Sequence, residues 1–474
     1  MAFKNQAVLK QWQQVPPAPG VLYDRPAQTL APTNNPGIHS MPLCEDTPES
    51  ARCDQAPRRS LNIALLGYRS NPFSGGQGIY LKYLARALTQ AGHRVDVISG
   101  EPYPQLDDGI NLIKLPGLNL FAEEKPFRAL RWRNLLSATD LIEWLSFNSG
   151  GFPEPYTFGR RLLRYLNQYG KHYDVIHDNQ CLAPALLSLQ RRGTVVVSTI
   201  HHPITYDRKI ALAHEPDWGM RLLIRRWHLF LRMQIRVAKK LRHIVTVSQN
   251  SKQDISHDFG VAPERLTVVY NGVDTALFAP RPGVPRKPMH LITTASADQP
   301  LKGTRYLIDA VALLVEEFPE LTLTFIGKPN PDGPTDQRLE AKGLKSRIEF
   351  HHGIGAAEIV DLYAQASIAV VPSEYEGFGF PAAEAMACEV AVVSTSGGAL
   401  PEVVGDAGII VPCKNSEALA EGIRTLLKDK QLRDRLAVQG RQRVKEQFNW
   451  DTVAAQLTDY YHTCLLYTSP SPRD

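Results

Sequence analysis

Residues 371–384, VPSEYEGFGFPAAE, carry three carboxylates, and two of them, Glu376 and Glu384, flank Gly377, Phe378 and Gly379. Pro381 suits the first turn of a helix, which leaves Glu376 in the preceding loop and sets Glu384 about one turn into the helix. Carboxylates accept hydrogen bonds from neighbouring hydroxyls, and backbone N–H groups at a helix start suit an anion. A nucleotide sugar presents both kinds of group. The plainer alternative is a pair of solvated surface acids. A second glycine-rich loop, NPFSGGQG at 71–78, contains Gly75 and Gly76. Taken alone it reads equally as a tight turn or a phosphate contact, since it is not a full GxGxxG and no acid stands at the right distance for a ribose. His201 and His202 in STIHHP follow an apolar run, and adjacent residues of an extended segment point opposite ways.

The elements that must hold these groups alternate regularly. Leu61–Gly67 is a buried-strand run, followed by the glycine loop and a helix from Ile79 to Ala91; Val95–Ser99, Val175–His177, Val195–Ile200 and His243–Val247 read as further strands. Residues 279–288, APRPGVPRKP, have the composition of a linker. The alternation then restarts with His290–Thr294, a helix from Gly303 to Phe318, Thr322–Gly327, Ile348–His351, a helix from Ala356, Ile368–Val371, a helix from Pro381 and Val390–Ser394. Short apolar strands between amphipathic helices predict parallel sheets covered on both faces. The expected fold is therefore α/β, with two doubly wound Rossmann-like domains facing across a cleft. Ligands of such sheets bind beyond the carboxyl ends of the strands.

The two glutamates, with seven residues between them in EGFGFPAAEAMA, resemble the signature of the family 4 retaining glycosyltransferases of the GT-B fold. The resemblance extends over nearly all of residues 61–463: the GGQG loop, VSQNSKQDI at 247–255, VVYNGVDTALFAP at 268–280, LKG at 301–303, GGALPEVV at 397–404 and a closing helix at 447–463. It implies an acceptor domain at 61–279, a linker at 280–288 and a nucleotide-sugar donor domain at 289–446. By the same resemblance Glu376 holds the donor sugar's hydroxyls, Glu384 the ribose, and Lys302 faces the pyrophosphate, with Gly75 and Gly76 meeting the diphosphate from the opposite domain. His201 matches the family's histidine beside donor sugar and acceptor, with His202 its close rival. Where the family carries an arginine six residues before its lysine, this chain has Ser296. Arg305 and Lys328 are the nearest substitutes in sequence.

The resemblance implies transfer of a sugar from a nucleotide-diphosphate sugar with retained anomeric configuration, by a same-face route in which the leaving phosphate helps deprotonate the acceptor. The donor is a co-substrate, and no further cofactor is expected. No Asp-x-Asp stands ready to hold a divalent cation, so metal independence is expected, with Lys302, helix-start N–H groups and the glycine loop stabilising the leaving charge. A glycan, lipid or small molecule remains open as the acceptor. Three other readings stay open: an inactive nucleotide-sugar-binding scaffold, favoured by Ser296; a Rossmann oxidoreductase, favoured by the glycine loop; and a GT-B epimerase or phosphorylase.

Residues 221–243 hold eight Lys and Arg and no acid. Arg221, Arg225, His228, Arg232, Arg236 and Lys239 recur at helical steps, predicting one basic amphipathic helix. Such a helix fits an anionic membrane surface, or equally a core helix with a solvated basic face; without a binding motif it does not point to nucleic acid. The 474 residues, with 43% hydrophobic and 21% charged and a net charge of +5, are those of an ordinary globular protein of two or three domains. The six cysteines show no metal-ligand or CxxC spacing and read as reduced thiols, which with the lack of a secretory signal suggests a cytoplasmic protein, peripheral on the membrane if 221–243 binds it. Residues 1–60 carry nine prolines and read as a disordered tail. Residues 464–474, CLLYTSPSPRD, resemble translated sequencing adaptor and are set apart from the fold.

Overall fold

The structure, a computed structural model, describes residues 59–71 and 77–468. Nearly all of the proline-rich tail, and the stretch holding Gly75 and Gly76, lie outside the described residues. Two parallel sheets organise the rest. The first contains β1 (Asn62–Gly67), β2 (Arg94–Ser99), β3 (Asn111–Lys114), β4 (Val175–Asn179), β5 (Val195–Ile200), β6 (His243–Thr246) and β7 (Leu266–Val268), in the order β3-β2-β1-β4-β5-β6-β7. The second contains β8 (His290–Thr294), β9 (Thr322–Ile326), β10 (Ile348–His351), β11 (Ile368–Val371), β12 (Ala391–Thr395) and β13 (Ile409–Val411), in the order β10-β9-β8-β11-β12-β13. These are the two doubly wound sheets of a GT-B fold.

The central strands are apolar without alternation because helices cover both faces: in β1, Ile63 to Leu66 are at most 0% exposed. Register is fixed along the full strand, from Asn62 against Arg94 to Gly67 against Ser99. Strand order reverses beside β1 and beside β8. A crevice opens at such switch points, and on the C-terminal side it receives the segment that follows β8 and leads to Lys302.

The expected strands are found, and three more were not legible: β3, β7 and β13. Each is an edge strand of three or four residues, too short to show a period.

The basic segment departs from expectation. It is two helices, Trp218–Trp227 and Phe230–Ala238. They part at His228, whose ring is buried and donates from Nδ1 to the Ile224 carbonyl at 2.8 Å. His228 therefore does not belong to a solvated stripe.

The last helix runs Trp450–Thr468, past its expected end at 463. Trp450, Val453, Leu457, Tyr461 and Cys464 repeat at steps of three and four on one face. That face packs with Leu61, Ile63, Leu81 and Leu84 of the N-terminal domain, so the chain's C-terminal helix completes the core of its first half. Burying each large apolar side chain contributes about 1.5–3 kcal/mol. Among the described residues no helix is long and apolar enough to cross a membrane.

Candidate active site

Between the two domains lies a cavity of about 710 Å³. Ile79 and Tyr83 line it from the N-terminal domain, Trp450 from the last helix, and Ser296, Lys302, Lys328, Glu376 and Glu384 from the C-terminal domain. Three of the expected site residues, Lys302, Glu376 and Glu384, thus share one space.

Glycines let the supporting loops approach. Gly303 has φ +63°, and a Cβ there would stand 1.9 Å from the Pro372 carbonyl oxygen; only glycine allows the Lys302 turn to lie against the end of β11. Glu374 N donates to Leu301 O at 2.7 Å and ties the two loops together. On the other side of Glu376, Gly398 at φ +62° would set a Cβ 2.2 Å from the Glu376 carbonyl oxygen.

Glu376 Oε1 accepts from Lys302 Nζ at 2.7 Å and from Ser373 Oγ at 2.7 Å. The glutamate side chain is 11% exposed and the lysine 26%. Both donors meet one oxygen, so Oε2 accepts no hydrogen bond among the described residues, and the side chain lines the cavity. The N–H groups of Gly377, Phe378 and Gly379 likewise find no acceptor among the described residues. Phe378 turns its ring into the core against Phe380 and Phe448, so only its backbone is offered to a ligand. Gly379, at φ +102°, begins the helix Phe380–Ala387.

Glu384 lies one turn into that helix, half-buried at the cavity wall. Its carboxyl has no hydrogen-bond partner among the described residues, and burial pushes its pKa up to about 8. Neutral pH therefore favours the protonated acid, which can donate one hydrogen bond and accept another.

The two histidines separate sharply. His201 Nε2 meets Asn179 Oδ1 at 2.6 Å and its ring stands edge-on to Tyr80 at 4.7 Å. Burial, with the charges of His202 and His177, lowers its pKa to about 3. His202 Nε2 pairs with Asp207 Oδ2 at 3.2 Å. Burial opposes its charge, but the Asp207 hydrogen bond and carboxylate hold the ring above the ordinary histidine value, and it feels Lys302 and Glu376. A Cβ on Gly377 would lie 3.5 Å from His202 Cβ, so His202 abuts the Glu376 loop. Neither ring lines the cavity itself.

The substitutes for the arginine absent at Ser296 also separate. Arg305 is engaged: it donates to Glu374 Oε1 at 2.9 Å and stacks on Tyr306 at 4.6 Å. Lys328 lines the cavity beside Ser296 and forms no ion pair among the described residues. Its placement follows from the sheet, because Ala295 N donates to Ile326 O at 3.0 Å and brings the loop after β9 beside the loop after β8.

Other contacts were not legible in sequence. Ser373 stands three residues before Glu376, a spacing that carried no signal alone. Glu402, in GGALPEVV, reaches across the domains: its carboxylate accepts from Gln249 N and Asn250 N, each at 2.7 Å, at the start of the helix Gln249–Phe259. Ser248 Oγ donates to Gly377 O at 2.8 Å. The VSQNS segment thus docks on both the EGFG loop and Glu402.

Comparison with known proteins bears on the family and the fold. Residues 74–277 match the model of Glycosyltransferase Family 4 and residues 281–443 that of Glycosyl transferases group 1. An MMP alpha-(1->4)-mannosyltransferase of Mycolicibacterium hassiacum is 44% identical over 411 residues, covering 85% of this chain and 98% of that protein. A D-inositol 3-phosphate glycosyltransferase of Corynebacterium glutamicum is 31% identical over 436 residues, covering 85% and 97%. In fold the chain is similar to sucrose-phosphate synthase from Thermosynechococcus elongatus, with TM-score 0.63 and 23% identity over 86% of this chain and 99% of that one. It is also similar to Anabaena Alr3699/HepE in complex with UDP, with TM-score 0.61 and 19% identity over 85% and 100%.

Proposed function

Since the chain belongs to the group 1 glycosyl transferases, with a family 4 N-terminal half, we propose that it moves a mannosyl residue from a nucleotide-diphosphate sugar to a glycan acceptor, with retention and without a metal. The mannosyl and α-(1→4) specifics rest on the relative at 44% identity. The observation that carries the donor reading is the half-satisfied carboxylate of Glu376: Lys302 and Ser373 fix one oxygen, and the other is left for sugar hydroxyls at the cavity. Gly377, Phe378 and Gly379 offer N–H groups next to it, and Glu384 can both donate to and accept from a ribose diol. Gly75 and Gly76 remain assigned to the diphosphate from the opposite domain.

In this reading the departing diphosphate is met by Lys328 as well as Lys302. Lys302 is already neutralised by Glu376, so Lys328 supplies the cation that Ser296 lacks. The same-face route asks no protein carboxylate to form a covalent bond; the leaving phosphate takes the acceptor proton. The His202–Asp207 pair, abutting the Glu376 loop, is a second candidate beside His201 for contact with the sugar. A cytoplasmic setting belongs to the same proposal and rests on Cys181, Cys388 and Cys413 forming no disulfide among the described residues.

A thermal-shift screen with UDP-, GDP- and ADP-sugars tests the donor reading. One base should raise the melting temperature, and that donor should be turned over in the presence of EDTA with an α-linked product. Stabilisation by none of them would remove the proposal.

A further inference from the structure

Most of the exposed large apolar side chains of the N-terminal domain lie on three helices. The short helix Trp132–Leu136 leaves Trp132 70% and Leu136 85% exposed. Next to it, the helix Ala138–Asn148 buries Thr139, Glu143 and Phe147 and turns Ile142 and Leu145 outward. The helix Trp218–Trp227 buries Ile224 and turns out Trp218, 78% exposed, and Leu222. The latter two helices are neighbours: Arg226 Nη2 donates to Ser149 Oγ at 2.8 Å, and Phe121 stands edge-on to both Phe147 and Trp227, at 4.9 and 5.6 Å. Their outward apolar rows therefore flank a common seam. Other exposed apolar residues, such as Val284 and Val438, stand singly, which is ordinary for a soluble surface; a concentration of tryptophan and leucine on adjoining elements marks an interaction face.

The charge on this face narrows what it meets. Residues 125–136 hold Lys125, Arg128, Arg131 and Arg133 and no acid, and residues 218–229 hold Arg221, Arg225 and Arg226 and no acid. The acids on the middle helix are consumed, since Asp140 and Glu143 both pair with Arg161. Glu123 and Glu124 share a surface hollow with Lys125 and Arg128, and Asp217 caps its own helix. A two-fold contact between copies would set these arginines against one another. An anionic bilayer surface complements the cations and receives tryptophan and leucine at the headgroup boundary.

We propose that this face, formed by the helices Trp132–Leu136, Ala138–Asn148 and Trp218–Trp227, docks the enzyme on an anionic membrane. It replaces the contact expected of the whole 221–243 stripe. The second helix of that stripe spends its apolar side, Leu231, Val237 and Ala238, on the protein core, so Arg232 and Arg236 stand on a solvated face with nothing to insert. The inference concerns where the protein sits and not its chemistry, so vesicle binding and donor turnover can fail independently.

The test is co-sedimentation of the full chain with vesicles of phosphatidylcholine alone and with about a third of it replaced by phosphatidylglycerol. Binding should require phosphatidylglycerol and weaken at high salt. Trp132→Ser with Leu136→Ser, and separately Arg131→Gln with Arg133→Gln, should each weaken it on the order of tenfold, whereas Arg232→Gln with Arg236→Gln should not. An unchanged melting temperature, and an unchanged shift on adding nucleotide sugar, would show that the variants are folded. No binding to either vesicle, equal binding by all variants, or a wild-type dimer that Trp132→Ser with Leu136→Ser dissociates would each overturn the proposal.

Discussion

Lys302 with Glu376 in the C-terminal half, and Arg161 with Glu143 in the N-terminal half, are both ion pairs withdrawn from solvent, yet they are finished differently. Glu143 is closed on all sides: one oxygen takes Arg161, the other accepts Leu118 N at 2.9 Å, and Arg161 also reaches Asp140 at 2.6 Å. Glu376 has two donors on one oxygen and none on the other. Burying a charge is costly unless its hydrogen-bonding capacity is met. The closed pair therefore reads as architecture, and the half-open pair as a site whose remaining capacity a ligand fills. Glu384 carries the contrast further, with no protein partner among the described residues.

Breaking each kind of pair should give opposite signatures. The largest effect is expected from Arg161→Ala, which strands Glu143 at 4% exposure; chemical denaturation should show a loss of about 3–5 kcal/mol, while the folded fraction still binds nucleotide sugar. Next, Glu376→Ala should lower turnover by about 10²–10³ with little loss of stability, because it removes a carboxylate the fold does not need. A stability loss equal to that of Arg161→Ala would erase the distinction.

Lys328→Ala should cost roughly tenfold or more in turnover, the scale of one charge-assisted contact. Placing Ser296→Arg in that background should restore most of it, and Ser296→Arg alone should change little. Failure of the rescue would separate Lys328 from the diphosphate.

The smallest effect concerns Glu384. Its folded pKa of about 8 lies above the ordinary glutamate value of 4.5, so between these values the folded empty protein holds a proton that the unfolded chain has lost, and stability falls as pH rises. Glu384→Gln should remove that fall. The difference in melting temperature should grow by about 2 °C from pH 5 to pH 8 and then level off, a modest figure because the side chain at the cavity wall is only partly buried.

What could be read from sequence follows the range of the interactions. Central strands and helices declare themselves through runs and periods within a dozen residues, and the family resemblance implies the grouping of Glu376, Glu384 and Lys302 that the cavity brings together. The clamp of Glu402 on Gln249 and Asn250, and the docking of Ser248 on Gly377, join residues more than a hundred positions apart, and only the closed fold brings them together. The basic stripe misled because charge periodicity continues across His228 although the backbone helix does not. His201 and His202 share a sequence signal, and burial and partners alone distinguish the ring whose pKa burial lowers from the one whose pKa Asp207 raises.

The central claim is that the open oxygen of Glu376 holds the donor sugar. Calorimetry of the wild type and Glu376→Ala, with the nucleoside diphosphate and the matching nucleotide sugar selected by the screen, tests it directly. The wild type should bind the sugar-bearing ligand more tightly than the bare diphosphate, and Glu376→Ala should lose that difference while keeping its affinity for the diphosphate. A difference that survives in Glu376→Ala would contradict the account.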